Sequence, residues 1–219
     1  MNLIHKDLLT KQRTKIVVMA PGSSLTYQQV ANIDTARIFT IAIGDAGRVM
    51  YPKADVLYHC DAKWWNYYKG CPEFDGSLKV SLEKTEYDNI LQMRRSPIRE
   101  GLDLNFPYIV TGNNSGYQAL NLAMYCNPKE IILVGYDMKD RDGRHNVIGH
   151  HPKEVKRPYD FTLFKQKITE LASTLDYLGV TVYNCTLDSD LECFPKRKLE
   201  DVLWKNCKGS PTWLLKRFI

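Results

Sequence analysis

Short apolar runs, each closed by a polar or glycine-containing turn, set the rhythm of this chain. KIVVMA at residues 15–20 is continuous and β-branched, and it stops at Pro21-Gly22-Ser23-Ser24-Leu25. A run of that length bounded by such a turn predicts a buried strand that opens onto a helix. RIFTIAI at residues 37–43 predicts a second strand, stopped by Gly44-Asp45. DVLYHC at residues 55–60 predicts a third, stopped by Asp61. KWWNYYK at residues 63–69 reads as an aromatic-rich helix or turn, and residues 79–82 as a further strand.

The second half follows the same alternation with clearer helical periods. Residues 114–125 place Leu120, Ala123 and Met124 at helical spacing, and residues 130–134 form a short apolar strand. The longest helical pattern covers residues 161–178, where Leu163, Phe164, Ile168, Leu171, Leu175 and Leu178 recur at threes and fours. Gly179 stands where a helix C-cap favours glycine. Residues 180–184 read as a last strand, and residues 188–205 as a loop and short helix. Residues 70–106, punctuated by Gly70, Pro72, Gly76, Pro97 and Gly101, are the least regular part and read as an insertion or lid. Strands alternating with helices predict a mostly parallel sheet with helices on both faces, a single Rossmann-like α/β domain over residues 1–219.

Composition narrows the class. The 219 residues suffice for one α/β domain with a core. No apolar run approaches the roughly 20 residues a membrane span requires. The N-terminus lacks the apolar centre and cleavage site of a secretory signal, so a cytoplasmic protein without membrane insertion is expected. The six cysteines include no CxxC pair, which argues against zinc and for reduced thiols. Cys60 and Cys71 are the pair whose proximity the sequence leaves open. A net charge of +5 favours anionic partners: nucleotides, phosphates or nucleic acid. The positive residues gather at Lys153, Lys156 and Arg157 and again in the C-terminal segment, where a solvated surface is the plainer explanation.

The candidate chemistry lies at the turns, because ligands of open α/β sheets bind at the carboxyl ends of strands. Gly22, Ser23 and Ser24 form a candidate phosphate cradle, or an ordinary strand-to-helix turn. Neither GxGxxG nor GxxxxGK[ST] occurs, which disfavours NAD and a standard ATPase site. Gly44, Asp45 and Asp61 end strands, where a carboxylate binds ribose or metal or caps a helix. Capping is the commoner role for Asp61, and core or lid packing for Trp64 and Trp65. The turn Asn114-Ser115-Gly116 and Asp137, after the fourth clear strand, complete a nucleotide-binding set. Asp188-Ser189-Asp190 has the DxD spacing but lies past the last strand, so no metal site is expected.

His150 and His151 stand in a polar loop upstream of Lys153, Lys156, Arg157 and Tyr159. An imidazole titrating near neutrality can accept a proton from a hydroxyl nucleophile, and cations or a phenol beside it can stabilise a departing phosphate. A surface loop or metal pair is the bland alternative. Neighbours in an extended segment point opposite ways, so at most one of the two histidines is expected to be the base.

APGSSL after the first strand, the NSG turn before a helix, LVGYD after the next strand and the IGHH loop before a long helix occur in one order. In that order the chain resembles the bacterial sialyltransferase family that builds lipooligosaccharide. It also resembles related Rossmann proteins, among them flagellin-associated transferases and archaeal-type 6-hydroxymethylpterin pyrophosphokinase. ADVLYHCDAKWW and NNSGYQALNLA look like phage-encoded proteins of this group. The resemblance spans about residues 15 to 195.

It implies that Gly22, Ser23, Asn114, Ser115 and Gly116 hold a nucleotide. It implies His150, after Ile148-Gly149, as the base, with His151 as the alternative register, and Tyr159 as partner of the leaving phosphate. The sequence departs from the family pattern at Gly44-Asp45, where an asparagine is expected, and in doubling the histidine. The expected function is a metal-independent glycosyltransferase. It takes a nucleotide sugar as co-substrate and a hydroxyl acceptor such as a glycan or phage-modified DNA, and needs no further cofactor. The alternatives are a pyrophosphokinase-like transferase using magnesium at Asp45, Asp61 and Asp137, and a non-catalytic nucleotide or nucleic-acid binder. Oligomeric state is left open.

Overall fold

The computed structural model describes residues 3–155 and 159–204. Helix α1 (Leu3–Thr10) leads into β1 (Lys15–Met19), α2 (Tyr27–Ala36) and β2 (Phe39–Ile43). A π-helix, Ala46–Met50, precedes β3 (Val56–His59) and α3 (Ala62–Tyr67). Strands β4 (Leu78–Ser81), β5 (Ile90–Gln92), β6 (Arg94–Arg95) and β7 (Tyr108–Ile109) follow. Helix α4 (Ser115–Met124), β8 (Glu130–Val134), α5 (Phe161–Tyr177), β9 (Thr181–Asn184) and α6 (Leu199–Leu203) close the order.

Seven strands form one sheet in the order β5-β4-β3-β2-β1-β8-β9, and every pairing is parallel. Two strands from residues 70–106 therefore extend the sheet edge, and β6 and β7 form a separate small ladder. Parallel strands buried on both faces read as continuous apolar runs, as β1 and β8 do.

Alternate residues feed two cores. Ile16, Val18, Ile41, Tyr58, Ile131 and Leu133 pack with α4 and with Ile168, Leu171 and Leu175 of α5. Val17, Met19, Leu57, Ile132 and Val134 pack with Val30 and Ile33 of α2 and with Leu199 and Val202 of α6. The result is the Rossmann-like α/β fold with helices on both faces.

Local chemistry sets the element ends. Arg37 caps α2 in the left-handed region (φ 51°), so β2 begins at Phe39 rather than at residue 37. Thr26 and Gln29 form a reciprocal capping box at the start of α2. At the end of α5, Gly179 takes φ 71° and Val180 donates its N–H to Leu175, which closes a Schellman motif. Among the described residues, no helix is long and apolar enough to cross a membrane.

Candidate functional site

The chain proceeds from β1 to β2 on one side and returns to place β8 on the other, so strand order reverses between β1 and β8. Ligands of open α/β sheets bind in the crevice at such a switch point. A cavity of about 540 Å³ opens there, built from the loops after β1, β2, β3 and β8, the N-terminus of α4 and the start of α5.

Of the residues singled out in the sequence, Gly22, Gly44, Asp45, Asp61, Asn114, Ser115, Gly116, Asp137, His151 and Tyr159 line this cavity. Ser23 and Ser24 stand just behind it. His150 is exposed outside the lining, with its ring 5.5 Å from that of His145. Lys153 is likewise exposed and outside the lining, and Lys156 and Arg157 lie outside the described residues.

The first turn is shaped by protein contacts. Gly22 donates its N–H to Gly135 O at 3.1 Å, and Ser24 donates its N–H to Asp137 Oδ2 at 2.9 Å. A Cβ on Gly22 would lie 2.2 Å from Gly135 O and 2.5 Å from Asp137 Oδ2. The glycine thus permits the β1 and β8 turns to meet. The carboxylate of Asp137 already takes the Ser24 amide that a phosphate would need.

The N-terminus of α4 is more open to a ligand. Asn113, Asn114, Ser115 and Gly116 all line the cavity. Asn114 is the N-cap, accepting the Tyr117 N–H at 2.7 Å, so the leading amides of α4 face the space with the positive end of the helix dipole. Gly116 is fixed by its neighbours: a Cβ there would sit 3.0 Å from both Asn114 Oδ1 and the Tyr136 ring.

The β3 loop supplies another wall. Trp64 stacks on His59 with centroids 4.4 Å apart, and Trp65 donates its indole N–H to His59 O at 3.0 Å. Both tryptophans are buried, and Trp64 also lines the cavity. Asp61 is the N-cap residue of α3, its backbone oxygen accepting the Trp64 N–H, while Glu83 accepts the N–H of Ala62 at 3.1 Å.

His59, Cys60 and Asp61 have ligand atoms within 4.8 Å of one another. The His59 Nδ1 lone pair accepts the Asp61 N–H at 3.1 Å. Burial, reinforced by Asp61, pushes the Cys60 thiol up to about 12. Asp45, Asp61 and Asp137 share the cavity but do not converge into a comparable group. The late Asp188 and Asp190 are engaged by Lys139, and Asp188 also by Arg141 at 2.6 Å. Cys60 and Cys71 are both free thiols.

Opposite α4 lies the histidine loop. Asp45, fully buried, pairs through Oδ1 with Arg48 Nε at 2.8 Å. Its Oδ2 accepts from Asn146 Nδ2 at 3.3 Å and stands 3.4 Å from His151 Nδ1. Burial lowers the His151 pKa; Asp45 opposes this, and His145 and Arg48 add to it. Tyr159 lies with its ring parallel to that of His151 at 6.4 Å and is pushed up to about 12, chiefly by burial. It is therefore a phenol at neutral pH.

His59, Lys139, His145, Asn146, Phe161 and Phe164 were not singled out by the sequence. Asn146 and His145 precede the histidine pair in the same loop, which is the one signal that pointed toward them. No protein-family model matches the chain, and no curated protein matches it.

Proposed function

We propose that this protein is a glycosyltransferase that uses a nucleotide sugar and activates a hydroxyl acceptor with His151. The observation that carries the reading is one cavity, at the switch point of a parallel sheet, with an anion-favouring helix N-terminus on one wall. The same cavity is lined by a histidine that lies beside a buried carboxylate. The α4 amides would take the donor phosphate. His151 would remove the acceptor proton as the acceptor oxygen bonds to the anomeric carbon. The bond from that carbon to the phosphate oxygen breaks, and the phosphate leaves with the electron pair. Tyr159, protonated at neutral pH, would donate to the leaving oxygen. A doubled histidine leaves register open in sequence; lining of the cavity by His151 and not His150 favours the second position.

A second reading, phosphate transfer from a magnesium nucleotide, draws on the carboxylates of Asp45, Asp61 and Asp137, which line the same cavity. The two readings separate in one experiment. Purified protein is incubated with sugar nucleotides and hydroxyl acceptors, in EDTA and in magnesium, and nucleotide release is followed. The transferase reading expects turnover in EDTA and a loss of about 10²–10⁴-fold in His151→Ala, the usual contribution of a general base. Turnover that needs magnesium would favour phosphate transfer. Turnover untouched by His151→Ala would overturn the assignment of the base.

A further inference from the structure

Three groups from two segments meet at the edge of the cavity: Asp45 after β2, and Asn146 and His151 in the loop between β8 and α5. Asn146 is almost fully buried (1 % exposed), and its amide orientation is fixed twice. Its Oδ1 accepts the N–H of Ile148 at 3.1 Å, and its Nδ2 donates to Asp45 Oδ2 at 3.3 Å. The same Nδ2 lies 3.0 Å from His151 Nε2. An amide nitrogen is a donor only, so the ring nitrogen it meets must be the acceptor. In a neutral imidazole the proton then resides on Nδ1, which lies 3.4 Å from the Asp45 carboxylate but makes no hydrogen bond to it.

We infer that Asn146, itself anchored by Asp45, is a positioning residue that holds His151 in its Nδ1–H tautomer and keeps its basic nitrogen capped until a hydroxyl replaces the Asn146 amide. The inference rests on the reading of His151 as the base. A neutral imidazole has one lone pair, and Asn146 takes it. The acceptor hydroxyl must therefore displace the amide at Nε2 before its proton can move. The arrangement ties proton abstraction to occupancy of the acceptor position and shields the base from water in the empty site.

The charged and titratable groups around the ring pull its protonation in opposite senses. Asp45 favours the imidazolium, whereas Arg48 on the π-helix and His145 in the same loop disfavour it. Tyr159 stands alongside as a phenol. The Asn146 amide, pointing its N–H at Nε2, opposes a second proton there.

The test uses the full-length protein labelled with ¹⁵N and long-range proton–nitrogen correlation of the histidine rings across pH. His151 is assigned by loss of its signals in His151→Gln. The expected wild-type pattern at high pH is a protonated Nδ1 and a bare Nε2. In Asn146→Ala the ring should become a mixture of tautomers and its titration midpoint should rise. In Asp45→Asn the midpoint should fall, because the favourable charge is gone and Arg48 remains. A wild-type ring protonated at Nε2, or a tautomer ratio unchanged in folded Asn146→Ala, would overturn the inference. The wild-type readout needs only His151→Gln to fold, for the assignment. Because no turnover is measured, failure here is distinct from failure of the transferase reading.

Discussion

The Asp137 carboxylate accepts the backbone N–H of Ser24 at 2.9 Å, so the turn after β1 is tied directly to the turn after β8. These two turns frame the switch point, and Gly22 lets them touch. A methyl at Gly22 would meet the Gly135 carbonyl at 2.2 Å, a backbone atom that can move only with its strand. Gly22→Ala is expected to destabilise the fold by about 1–3 kcal/mol, the usual cost of overpacking. Urea denaturation checks this: the midpoint should fall with an unchanged slope. Wild-type stability in this variant would mean that the turns separate easily.

Burial of His151 should appear as a pH dependence of stability. Its folded pKa lies below the ordinary value of 6.5. Between the folded value and 6.5 the unfolded chain therefore binds the extra proton, and stability rises with pH across that window. The contribution is complete above 6.5 and is lost as pH falls through the folded pKa. His151→Gln should flatten this part of the profile in denaturation curves taken at several pH values. An unchanged slope would mean that the ring is solvated.

Much of the fold was legible because its signals are local. Residues 130–134 read as a strand from five residues of sequence, and β8 covers the same span. The period of α5 and its closing Gly179 were equally plain. The short β5 carries too few residues for a period, and the π-helix follows from its packing rather than from any propensity. The cavity turns were visible as polar residues at strand ends. The partnership of Asp45 with His151 was not, because residues so far apart in the chain meet only once β2 and the loop after β8 are in place. Gly22 was legible as a special position, but its reason was read as room for a phosphate, whereas the contact it makes is with Gly135 and Asp137.

Cys60 lines the cavity yet should be a poor nucleophile. Its thiol is pushed up to about 12 by burial and by Asp61, and Ser115 Oγ donates to its sulfur at 3.3 Å. Alkylation by iodoacetamide at pH 8, followed by peptide mass spectrometry, should label Cys60 far more slowly than a free thiol with an ordinary pKa near 8.5. Rapid labelling would show a thiolate in the cavity.

The most direct measurement is a thermal-shift titration of the protein with nucleotides and sugar nucleotides in EDTA. A ligand that binds only the folded state at 100 times its Kd adds about 2.7 kcal/mol of apparent stability, enough to raise the unfolding temperature measurably. At least one sugar nucleotide is expected to produce that rise, and Ser115→Phe, which fills the space at the start of α4, to abolish it while remaining folded. If no nucleotide or sugar nucleotide shifts the transition, or if the shift persists in folded Ser115→Phe, the cavity is not the donor site proposed here.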